Sequence, residues 1–106
     1  MSKKKESPKN GSIEVFERNL QRSTKRLRAL GFLVTRIGGD GPLSEFDLLA
    51  GQGPLKKAIR LKKQDDTNTT INDICKKDEN DLKGWSIEVW DWERYNQEPS
   101  VKIYRL

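Results

Sequence analysis

The sequence predicts an α/β domain in which a mixed sheet is flanked by helices, with elements in the order αβββαββ. Three observations predict it. Apolar residues first recur at helical spacing, at Phe16, Leu20, Leu27 and Leu30. The pattern then shifts to short β-rich runs punctuated by glycine and proline, at residues 32–37, 46–50 and 55–63. A second, sparser helical stripe of Ile71, Ile74, Cys75 and Leu82 precedes two further runs, at 85–92 and 101–106. Helix and strand periods interleaved in this way define layered α/β architecture.

Residues 1–11 carry Lys3, Lys4, Lys5 and Lys9 with Pro8 and Gly11, and no apolar residue after Met1, so a flexible basic arm is expected there. One domain then spans 12–106. Ser12 is suited to cap a helix beginning at Ile13, with Glu14 near its positive end. Ser23 fills one step of the apolar stripe, and Gly31 supplies the stop. Gly38-Gly39-Asp40-Gly41-Pro42 is a loop between the first two strands, and Gly51-Gln52-Gly53-Pro54 a hairpin-like turn between the second and third.

The third strand alternates, with Ile59 and Leu61 on one face and Ala58, Arg60 and Lys62 on the other. Polar residues 64–70 cross to the second helix, which Gly84 closes. On the following strand Trp90 and Trp92 share one face, while Trp85 shares the other with Ile87 and Val89. Residues 96–100 turn into the last strand.

Composition excludes whole classes of chemistry. With 106 residues, the chain buries one modest core. It has no histidine, which removes His-based zinc sites, Ser-His and Cys-His catalysis and histidine general bases. The single cysteine, Cys75, precludes an intrachain disulfide and suits a reducing compartment. No apolar run approaches membrane-spanning length and the lysine-rich start lacks a signal-peptide core, so a cytoplasmic protein without membrane partners is expected.

Charge is unevenly spread. The net charge is +5, from 21 Lys+Arg and 16 Asp+Glu. Arg18, Arg22, Lys25, Arg26 and Arg28 crowd the first helix, and Lys56, Lys57, Arg60, Lys62 and Lys63 crowd the third strand, whereas acids gather from Asp65 to Asp81. A molecule with one basic half attracts a phosphate backbone, so DNA is the expected partner.

A pattern of specific residues joins these features. A helix ends in Leu30-Gly31-Phe32, a strand with Val34 and Arg36 follows, and after a glycine-rich loop comes Phe46-Asp47-Leu48-Leu49-Ala50-Gly51. Thirteen positions after Asp47 stands Arg60-Leu61-Lys62. This ordered set resembles the core of archaeal Holliday junction resolvases, members of the PD-(D/E)xK nuclease superfamily. The resemblance covers most of the chain and implies a restriction-endonuclease-like αβββαβ core, duplex or branched DNA as substrate, a homodimer, and endonuclease chemistry dependent on Mg2+. It makes Asp47 the central metal ligand, Lys62 the catalytic lysine and Glu17 the helix-borne acid. The segment from Glu17 to Gly31 is about one turn longer than the family pattern, and Glu14 competes with Glu17 for the role.

Arg60 is the departure, since it stands where the family has its second acid. A guanidinium cannot ligate a cation and stays protonated. The expected outcome is an Arg60–Asp47 pair in the metal's place. Glu45, two positions before Asp47, faces the same side and is the substitute acid if the site still holds an ion. The expected function is therefore DNA binding by a nuclease fold with impaired cleavage, through Arg18, Arg22, Arg36, Lys56, Lys57, Arg60 and Lys62. An active Mg2+-dependent endonuclease and a protein-interaction module built on the tryptophan hairpin are the alternatives.

Overall fold

Leu20, Ser23 and Leu27 fall on one side of a continuous helical stretch and are buried, so the first stripe does drive a helix onto the sheet. In the computed structural model, which describes residues 8–38, 43–93 and 98–104, this helix is α1, Pro8–Ala29. It begins five residues before the expected Ile13, within the segment expected as a flexible arm. Proline is tolerated in a first helical turn because the missing N–H would lack a partner there anyway. Residues 1–7 lie outside the described residues. Because the start moves, Glu14 is not in the first turn, and no acidic residue is.

The helix stops where glycine allows it. Gly31 has φ 95°, and the Phe32 N–H reaches back 3.0 Å to the Leu27 carbonyl. A Cβ on Gly31 would also come within 2.5 Å of Gln52 Nε2. Leu30, expected in the buried stripe, lies past the last helical residue and is 60% exposed.

Five strands follow: β1, Leu33–Arg36; β2, Leu48–Gln52; β3, Leu55–Leu61; β4, Ser86–Asp91; and β5, Ser100–Tyr104. A second helix, α2, Asn68–Lys77, lies between β3 and β4. The spatial order β1-β2-β3-β4-β5 equals the chain order. β1–β2, β2–β3 and β4–β5 pair antiparallel, while β3 and β4 pair parallel across the α2 crossover. The sheet is mixed, as the sequence predicts.

Boundaries differ by a few residues. β2 runs on through Gly51 and Gln52, leaving a two-residue Gly53-Pro54 turn in which Gly53 takes φ 58°. A positive φ at the first position of a two-residue turn matches the twist of the flanking strands. α2 begins earlier than its apolar stripe suggests, because Thr67 caps it by accepting the Thr70 N–H. Leu82 lies beyond α2 in a turn, yet is fully buried.

Strand alternation sorts the core into two layers. On the α1 side Leu20, Leu27 and Phe32 meet Leu48, Ala50, Ile59, Leu61 and Trp90. On the α2 side Ile71, Ile74 and Cys75 meet Phe46, Ala58, Ile87 and Val89. Trp90 and Trp92 belong to the first layer and Trp85 to the second, as the alternation predicts. Ser23 is the polar step in α1 for a reason: its hydroxyl accepts the Trp92 indole N–H at 2.7 Å and donates to the Asn19 carbonyl. Among the described residues, no helix is long and apolar enough to cross a membrane.

Candidate functional site

The pairing of β2 with β3 brings the entrance of one strand beside the exit of the other. The Asp47 N–H donates to the Ile59 carbonyl and the Ile37 N–H to the Asp47 carbonyl, so the backbone of Asp47 is fixed on both sides. Its carboxylate Oδ2 accepts the Leu61 N–H at 2.7 Å and the Lys63 ammonium at 2.9 Å. Lys63 also donates to the Leu61 carbonyl, and its ammonium lies 4.9 Å from the centre of the Phe16 ring on α1. Asp47 thus holds the end of β3 and ties it to a lysine.

Arg60 makes a different set of contacts from the expected one. It is 8% exposed, and its guanidinium grips Asp66 with two near-parallel bonds of 3.0 and 2.9 Å. It also donates to the Glu45 carbonyl and stands 3.6 Å from the Glu45 carboxylate. Its direct partner is Asp66 rather than Asp47. Asp66 can serve because it sits in the β3–α2 connection, where the Lys63 N–H also donates to it at 3.0 Å. A planar fork meeting a carboxylate bidentately is the arrangement arginine favours.

The electrostatics follow from this packing. Burial works against the charged form of Arg60, but the hydrogen bonds and charge of Asp66, helped by the charges of Asp47 and Glu45, hold its pKa above the ordinary arginine value. Burial likewise pushes the Asp66 carboxyl up, and Arg60 and the Lys63 N–H and charge outweigh it, so Asp66 stays below the usual carboxylate range. Asp47 is therefore within electrostatic reach of Arg60 without bonding to it.

The remaining predicted residues lie apart. Lys62 turns to the α2 side, with its ammonium 3.8 Å from Asp91. Glu17 accepts both bonds of Arg36, at 2.8 and 3.0 Å. Glu45, besides Arg60, has Lys77 at 3.6 Å. The acids expected to share a metal are thus each paired with a cation. Among the described residues, no group of three or more acidic or cysteine side chains is placed to hold one.

The predicted phosphate contacts divide by exposure. Arg18 and Arg36 are exposed; Lys25 and Arg28, which were not among the predicted contacts, are exposed along α1 as well. Arg22 lies 4.0 Å over the Trp92 ring. Lys56 is exposed near Trp85, whereas Lys57 is half-buried, paired with the buried Glu88 at 3.0 Å. Arg60 is occupied internally and presents no free edge of its fork. The sequence reasoning missed Lys63 and Asp66. Lys63 was legible as the residue two after Leu61, but nothing in the sequence distinguishes Asp66 from Asp65.

No protein-family model matches the chain, and no curated protein matches it.

Proposed function

We propose that the chain is a DNA-binding protein of restriction-endonuclease-like, junction-resolvase type whose cleavage centre has been closed by an arginine. The order of elements supports this reading, with Asp47 at the entrance of β2 and exposed cations along α1 and β1. The observation that carries it is Arg60, a buried guanidinium surrounded by oxygen atoms of Glu45 and Asp66 and lying in the field of Asp47. A fixed organic cation occupies a setting of acids in which the resembled enzymes use Mg2+. The exposed cations bind and orient a phosphate backbone. A homodimer on duplex or branched DNA is part of the proposal.

Three measurements test it. Neutralising about six phosphates predicts an affinity for duplex or four-way-junction DNA that falls with salt at a log–log slope near −5. An affinity indifferent to salt would remove the reading. In Mg2+ or Mn2+ the unmodified protein should leave a junction uncut; nicks that disappear in Asp47→Ala would instead establish the active endonuclease. Arg60→Glu should create calorimetrically detectable Mg2+ binding that the unmodified chain lacks.

A further inference from the structure

On the α2 side of the sheet a cleft of about 360 Å³ opens between the first turn of α2 and strands β4 and β5. Lys62 follows the last residue of β3 and Asp91 ends β4, so the cleft lies at the carboxyl ends of the two parallel strands. Ligands of α/β sheets seat in that position. Its volume falls within the range of small-molecule sites, about 300–1,000 Å³.

The walls divide by chemistry. Ile71 and Val89 form an apolar side, and Tyr104 adds an aromatic ring. Lys62 and Lys102 reach the cleft from different strands. Among the described residues the Lys102 ammonium donates to a neutral oxygen, Asn68 Oδ1 at 2.7 Å, which the Tyr104 hydroxyl shares at 2.8 Å, and it lies 5.3 Å from the centre of the Tyr104 ring. Of the two acids present, Asp66 is committed to Arg60 and Asp91 stands a loose 3.8 Å from Lys62. Two ammonium groups therefore face one carboxylate that is not already neutralised. A dianionic phosphate joined to a flat, weakly polar body satisfies both halves of this surface.

We propose that this cleft binds a nucleoside monophosphate group, free or as the phosphorylated 5′ end of a strand, with Lys62 and Lys102 on the phosphate and Tyr104 and Val89 against the base. The inference goes beyond the backbone-binding reading above and does not rest on it.

The test is a titration of the isotope-labelled full-length protein, followed by backbone amide shifts. Thymidine 5′-monophosphate should shift the amides of Asn68, Val89, Lys102 and Tyr104 saturably, at least about tenfold more tightly than thymidine or inorganic phosphate. Lys102 is exposed, so Lys102→Ala leaves the fold intact; it should weaken the nucleotide about tenfold and leave thymidine unchanged, while Lys102→Arg retains binding. No shift at these amides up to about 10 mM nucleotide overturns the proposal, as does equal affinity for nucleoside and nucleotide. A 5′-phosphorylated oligonucleotide that binds more tightly than its 5′-hydroxyl twin and than the mononucleotide assigns the site to strand ends; the reverse ranking assigns it to free nucleotide. Duplex binding by Lys102→Ala, measured in parallel, separates this proposal from the backbone-binding one.

Discussion

Arg60→Met removes a charge while keeping the length of an apolar stem, and its effect can be worked out from the contacts. The substitution deletes the two bonds to Asp66 and the bond to the Glu45 carbonyl. It leaves Asp66, whose side chain is 5% exposed, with the Lys63 N–H as its remaining hydrogen-bond partner among the described residues. Glu45 and Asp47 lose a nearby positive charge but keep Lys77 and Lys63. Breaking a buried pair by removing one member costs about 3–5 kcal/mol, because the other charge stays buried. A domain of this size holds roughly 5–15 kcal/mol in all and loses about 4–8 °C in Tm per kcal/mol. A fall of roughly 12 °C or more is expected, read from tryptophan fluorescence, since Trp90 is buried in the core. Adding Asp66→Asn, which removes the stranded charge but keeps an acceptor for the Lys63 N–H, should recover most of the loss. A single variant that melts within about 4 °C of the unmodified chain, or a double variant no better than the single, would refute the account of Arg60 as a neutralising centre.

Acid titration addresses the same pair. Asp66 titrates below its ordinary value when folded, so the stability it contributes is full above about pH 4 and is lost as pH falls through the depressed folded value. Asp66→Asn should lower stability at neutral pH and flatten this acid limb, measured by urea melts at a series of pH values. On the other face of the sheet, Ser23→Ala removes the acceptor of the Trp92 indole and should cost about 1–2 kcal/mol in a chemical melt. Ser23→Thr would overfill a fully buried position and cannot be expected to rescue it.

The fold was largely legible because periodicity reports burial directly. The stripe of Phe16, Leu20 and Leu27 reads as one buried face, the alternation of β3 sets Ile59 and Leu61 on one side and Ala58 on the other, and the structure packs them so. Periodicity could not report the ends. Pro8 and Gly11 argue against a helix, yet α1 runs through them, showing that the apolar stripe marks the packed portion of a helix rather than its full length. Leu82 shows the converse: a residue at helical spacing can be buried by a turn that follows the helix.

The candidate site was legible only as far as the strand pairing extends. Inside β3, faces alternate and Arg60 was correctly set opposite Ile59 and Leu61. Past Leu61 the antiparallel ladder with β2 is over, and a side chain's neighbours are set by connecting residues that carry no period. There Lys63, not Lys62, takes the Asp47 carboxylate, and Asp66 folds back onto Arg60 from a loop six residues away. Both outcomes obey the rule that a buried ion finds its nearest available counter-charge, and only three-dimensional closure decides which one that is. The Arg60 position was recognisable as a cation in an acidic setting; the identity of the acid that holds it depended on how the β3–α2 connection turns, which the sequence encodes through Thr67 capping α2 rather than through any charge pattern.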